Sequence, residues 1–267
     1  MLSVAAPVEA VIWDYGGVIS SPLFRGIGRF ETDMGYPPGS ILELIFGERS
    51  PSQAPAPAPA VGEAAASAGE TAYIGAEGNP AGGDPVDGAA AEAASAVTHD
   101  WHRLEVGEIA FDEYMTGVIE RAPAVLGREI DIDAYQRFTR DMPLGIHWPV
   151  VHRIRRLRSD GLKVGLLTNN VKEFGSAWRA TFPVDELFDV VVDSSDVGMR
   201  KPDPRIYLLT CERLVVPPAA SVFVDDNRDN VEAAGAVGIE SVHFGDEPLT
   251  AISELDAILE RRGTRSA

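Results

Sequence analysis

From about residue 147 onward, amphipathic stretches of ten or so residues alternate with short apolar runs. The spacing predicts helix 149–160, strand 162–167, helix 172–182, strand 187–193, helix 203–215, strand 221–224, helix 228–237, strand 239–244 and a closing helix over 249–262. Few architectures accept such a pattern. Each strand reaches the next parallel strand through a right-handed helical crossover, which gives a doubly wound, Rossmann-like α/β sheet. The apolar run VEAVIW at 8–13 supplies a further strand, for about five in all.

Four polar clusters follow these apolar runs. They are Asp14 with Gly16 and Gly17, then Thr168-Asn169-Asn170, then Arg200-Lys201-Pro202 shortly after LFDVVVD, and Asp225-Asp226 after SVFV. Ligands on a parallel sheet bind outside the carboxyl ends of its strands. Carboxylates gathered at one place repel each other, and a hard cation such as Mg²⁺ relieves that repulsion. Lys201 balances phosphate charge, and Thr168 with the N–H groups after it can donate to phosphoryl oxygens. The set suits in-line phosphoryl transfer to a carboxylate nucleophile.

The first strand is separated from the alternating region by more than a hundred residues of mostly helical pattern. Residues 22–46 place Leu23, Ile27, Phe30 and Met34 on one face, and ILELIF at 41–46 forms a second short helix. HDWHRLEVGEIAFDEYMTGVIERA reads as two helices broken at Gly107, and 131–141 as another. The expected organisation is therefore an α/β core of residues 1–20 and 146–267 with a helical cap at 21–145. The cap pattern is interrupted at 49–97. Thirty of the fifty positions in 51–100 are Ala, Pro or Gly, none is Lys or Arg, and seven are acidic. Such a stretch lacks the large apolar residues that offset the entropy of ordering and reads as a disordered acidic insertion. A loop that recruits a protein partner or covers the site is the functional alternative.

The formal net charge of −18 excludes a protein that coats nucleic acid or an anionic membrane by its general field. The lone Cys211 lies on a helical face with Tyr207 and Leu214 and reads as a core thiol. No signal peptide or membrane-spanning run is seen, so the expected location is cytoplasmic. His99 and His102 read as solvated helix-start residues, with an acid supplied to the reaction from the helical region as their functional alternative. His147 and His152 read as packing or hinge residues, and Arg153 to Arg158 as an exposed basic face. Asn170 and Asn230 read as structural hydrogen-bonders.

VIWDYGGV, LLTNN, GMRKPDPRIY and FVDDNRDNVEAA, in that order, resemble the four motifs of the haloacid dehalogenase superfamily, in the subgroup with a small helical cap. The resemblance implies that Asp14 is a nucleophile and that Gly17, Thr168, Asn169 and Lys201 hold the phosphoryl group. It implies Mg²⁺ held by Asp14, the Gly16 carbonyl, Asp226 directly, and Asp225 directly or through water. One departure stands out. Most phosphatases of that family carry a second aspartate where this chain has Gly16, as the acid that protonates the leaving group; such acids contribute ~10²–10⁴-fold. The first motif, with its Gly-Gly, resembles sugar-phosphate phosphatases and the N-terminal domain of bifunctional epoxide hydrolases. The expected function is Mg²⁺-dependent hydrolysis of a small phosphorylated metabolite. The alternatives are a 2-haloacid dehalogenase, or a binding or regulatory protein of the same fold.

Overall fold

The computed structural model describes residues 6–22, 26–47, 99–142 and 145–265. Leu23 and the expected insertion at 49–97 lie outside them. Five strands form one parallel sheet: β1 (Ala10–Trp13), β2 (Lys163–Thr168), β3 (Val190–Asp193), β4 (Ser221–Asp225) and β5 (Glu240–His243), in the order β3-β2-β1-β4-β5. The chain order reverses at β1, so a crevice opens at its carboxyl end.

Alternation along the strands sends side chains to two separate cores. Val11, Trp13, Val164, Leu166, Val222 and Val224 face one apolar cluster, and Ala10, Ile12, Leu167 and Phe223 face the other. Nearly all of these residues are fully buried, each large aliphatic contributing ~1.5–3 kcal/mol.

Before the α/β run come α1 (Ile27–Met34), α2 (Ser40–Phe46), α3 (Asp100–Glu105), α4 (Phe111–Leu126) and α5 (Ile132–Asp141). They share a third apolar cluster that includes Phe30, Ile41, Leu44, Leu104, Tyr114 and Val118. The helical spacing of 22–46 is cut after Met34, where Pro37 and Pro38 cannot continue a helix. Buried Glu31 restarts it by accepting from Gly39 N (2.7 Å) and Ile41 N (2.8 Å).

Then follow α6 (Trp148–Ser159), α7 (Gly175–Arg179), α8 (Val184–Leu187), α9 (Ser194–Val197), α10 (Pro204–Leu214), α11 (Arg228–Ala236) and α12 (Pro248–Arg262). The expected helix 172–182 is instead a 3-10 turn at Lys172–Phe174 and the short α7. Pro183 then starts α8, which takes Leu187, the first residue of the expected strand 187–193, and β3 itself begins at Val190. Cys211 is buried beside Tyr207 and Leu214, as its spacing predicts. No helix among the described residues is long and apolar enough to cross a membrane.

Candidate active site

Strand register brings the acidic residues together. Trp13 pairs with Leu166 on one side and Val224 on the other. Asp14, next along, donates its N–H to Val224 O (2.9 Å) and so comes level with Asp225. Carboxylate oxygens of Asp14, Asp225 and Asp226 lie within 4.8 Å of one another. Lys201, only 1 % exposed, reaches in from the loop before α10. Its Nζ is 2.6 Å from Asp14 Oδ1 and 2.6 Å from Asp225 Oδ2.

Three carboxylates against one ammonium leave negative charge uncompensated in a buried place. Burial, with repulsion from Asp225 and Asp226, pushes Asp14 up to about 8 although Lys201 opposes it. Burial and Asp225 push Asp226 up to about 7. Burial alone would lower the Lys201 value, but Asp14 and Asp225 overcome it and hold the ammonium above its ordinary range. An all-oxygen acidic set of this kind fits a hard divalent cation.

The two adjacent aspartates differ. Asp225 Oδ1 accepts from Asn227 N (2.8 Å) and Asn230 Nδ2 (3.0 Å), while Oδ2 is held by Lys201. Among the described residues, the Asp226 carboxylate receives only its own main-chain N–H. The side-chain cap of α11 is neither aspartate but Asn227, which accepts from Asp229 N and Asn230 N. Gly17 makes room for Asp226. Its φ is +82°, and a Cβ there would fall 1.9 Å from Asp226 Oδ2. At Gly16 a Cβ would meet nothing within 4 Å.

Thr168 ends β2, with its hydroxyl 3.4 Å from Asn169 O. The Asn169 amide is committed to the Lys201 main chain: Oδ1 accepts from Lys201 N (2.8 Å) and Nδ2 donates to Lys201 O (3.0 Å). Asn169 thus joins two loops with its side chain. Asn170 and Asn230 are structural hydrogen-bonders, as expected.

The family model described as haloacid dehalogenase-like hydrolase matches residues 8–238. The chain belongs to this family. Acyl-CoA dehydrogenase family member 10 of Mus musculus is 32% identical over 161 residues, 60% of this chain and 15% of that protein. Phosphoglycolate phosphatase of Salmonella typhi is 32% identical over 117 residues, 42% of this chain and 46% of that one. This chain therefore spans less than half the length of these curated relatives. Among solved structures, an HAD family enzyme of Bacteroides thetaiotaomicron, in a complex with magnesium and inorganic phosphate, superposes with a TM-score of 0.54. It is 18% identical, with 90% and 96% of the two chains covered. A dehalogenase superposes at 0.56, with 17% identity and 94% and 97% covered. At such identities the likeness is one of fold.

In this member of the family the α1–α5 cluster rests on the loops that carry the site. Arg200 Nε donates to Glu105 Oε2 (2.6 Å), and Glu105 is buried. Glu173 Oε1 accepts from Phe111 N (3.2 Å) at the start of α4. His99 and His102 are half-buried here rather than solvated. His99 Nδ1 accepts from Trp101 N (3.2 Å) at the start of α3. Burial, Arg200 and His99 lower His102 to about 4, so its imidazole is neutral near pH 7. His147 joins the two crossings between α1–α5 and the sheet through Nδ1 to Val18 O (2.8 Å) and stacks on Phe244. Most of the basic run on α6 is paired: Arg153 with Asp256, Arg156 with Asp160, and Arg158 with Asp189. Glu105, Ser194 and Asn227 were not singled out from sequence. Only Asn227 carried a usable signal, an Asn just before a helix.

Proposed function

We propose that this hydrolase is a Mg²⁺-dependent phosphatase acting on a small phosphorylated metabolite through an aspartyl-phosphate. The observation that carries the reading is the buried Asp14–Lys201–Asp225 contact with Asp226 beside it, at the carboxyl ends of β1 and β4. Asp226, Asp14 and the Gly16 carbonyl would hold the cation, and Asp225 would assist directly or through water. Bound there, Mg²⁺ would neutralise charge on the transferring phosphoryl group.

A carboxylate oxygen of Asp14 attacks phosphorus in line, and the bond from phosphorus to the leaving oxygen breaks. Water then hydrolyses the acyl phosphate and restores Asp14. Lys201 orients Asp14 and offsets phosphoryl charge, with Thr168, the Asn169 main chain and Gly17 completing the cradle. Because Asn169 spends its side chain on Lys201, its part is to fix the lysine loop. His102 is poorly suited as a leaving-group acid, being neutral. A leaving group that departs with little protonation, such as an acyl or anomeric phosphate, or protonation by water, suits a site with Gly16. Helices α1–α5 act as a cap that excludes bulk water.

Phosphate release is measured over a panel that includes 2-phosphoglycolate, acyl phosphates and anomeric sugar phosphates, with Mg²⁺, with EDTA and with Asp14→Asn. Release that requires both the cation and Asp14 is expected. Chloride released from 2-chloropropionate, with no phosphate from any member, would replace this reading with the dehalogenase. Three clustered carboxylates argue against that outcome, since displacing halide from carbon gains nothing from a cation site.

A further inference from the structure

Helix α3 touches the core at the two loops that frame the site. Glu105, its last residue, is 5 % exposed and ion-paired to Arg200, the residue before Lys201. The Glu105 carbonyl accepts from Ser194 Oγ (2.7 Å), and that same oxygen accepts from Asn170 N (3.0 Å), on the loop that begins with Asn169. Both Ser194 and Glu105 are buried, so neither contact is loosened by competing water. The next turn is close-packed as well, since a Cβ on Gly107 would lie 3.4 Å from Ser195 O. One cap residue therefore grips the lysine loop with its side chain and the Thr168–Asn170 loop with its main chain. Those two loops are already tied to each other by Asn169.

We propose that Glu105 is a positioning residue that clamps the cap to the core and, through Arg200 and Ser194, sets the placement of Lys201 and Asn169. The Asp14–Lys201–Asp225 contacts alone do not require a docked cap. The clamp makes cap docking and lysine placement one event. Its kinetic consequence rests on the phosphatase reading, whereas its structural consequence does not.

The test compares wild type with Glu105→Gln, Arg200→Gln and the double variant by amide hydrogen exchange and by kinetics on p-nitrophenyl phosphate with Mg²⁺. Exchange is expected to quicken together in 99–107 and 194–201 in each single variant. The kcat should fall about tenfold or more with KM shifted far less, because small misplacements of a reacting group are costly. The double variant should be about as impaired as either single one, as for two members of one contact. Arg200→Lys should recover part of the loss. Faster exchange confined to 99–107, with kcat kept within about twofold, would reduce Glu105 to a helix-stabilising residue and overturn the proposal. Should Glu105→Gln not fold, Arg200→Gln, at a partly exposed position, carries the same comparison. Should wild type release no phosphate, the phosphatase reading falls, and joint or separate loosening of the two segments still decides the clamp.

Discussion

Lys201→Met keeps the length of the side chain and removes its charge. In the wild type, Nζ lies 2.6 Å from both Asp14 Oδ1 and Asp225 Oδ2, in a site closed to solvent. At an effective dielectric constant of ~20, each contact represents about 6 kcal/mol of gross attraction. Most of that offsets the cost of burying the ammonium, and breaking a buried pair from one side costs a net ~3–5 kcal/mol. For a chain of this size each kcal/mol moves the thermal midpoint by ~2–4 °C. Without metal near pH 8, the variant should melt ~6–20 °C below wild type. The gap should be much smaller near pH 5. Asp14 and Asp226, pushed up to about 8 and about 7, already carry protons at pH 5 with Lys201 present, so its removal there strands less negative charge. The assay is calorimetry of the EDTA-treated proteins at the two pH values. An equal gap at both would show that Lys201 does not neutralise the carboxylates, and the electrostatic account of the site would fail.

Two further outcomes follow from the same geometry. Gly17→Ala forces a φ of +82° on an L-residue, at ~1–2 kcal/mol, and drives Asp226 away from a Cβ 1.9 Å from its Oδ2. Titration calorimetry should show Mg²⁺ affinity reduced about 10–100-fold, and unchanged affinity would remove Asp226 from the cation site. In the metal-free wild type, Asp14 and Asp226 titrate at about 8 and about 7 when folded, above their ordinary 3.8. Their contribution to stability is therefore fully present below pH ~4 and is lost as pH rises through 7 to 8. The metal-free midpoint should fall over that window and Mg²⁺ should restore it near pH 8; a flat profile in EDTA would contradict the shifts.

The residues that strand ends present were legible in the sequence. Asp14, Thr168 and Asp225 each close a buried apolar run, and parallel pairing of β1, β2 and β4 leaves little freedom in where they meet. Lys201 was legible from its place after the next run, although its double contact was not. Contacts between distant elements left no periodic trace. Glu105 and Arg200 are 95 positions apart, and a glutamate ending a short helix looks like any surface acid. Resemblance to the family's motif placed Asn169 at the phosphoryl group without saying what its side chain does, since a polar residue at a strand end has several partners in reach. Only the fold shows that the Lys201 main chain takes both ends of its amide. The helix expected at 172–182 forms from Lys172 to Arg179, its first turn 3-10, and stops short of the expected end ahead of Pro183, where a new helix starts.

Asp225 and Asp226, identical and adjacent, are suited to opposite duties. Strand alternation sends their side chains different ways. Asp225 turns to Lys201 and to Asn227 and Asn230 at the start of α11, and spends both oxygens there. A carboxylate so fully engaged is a fixed charge: it sets the lysine and anchors the helix. Asp226 faces the space that Gly17 leaves open and, among the described residues, has no neighbouring side chain donating to it. Its desolvated oxygens, held up to about 7, gain most from a cation. The order Asp-Asp-Asn then acquires a physical reason, with one acid built into the scaffold, one facing the space beside Gly17, and an amide that caps the helix so that neither acid has to.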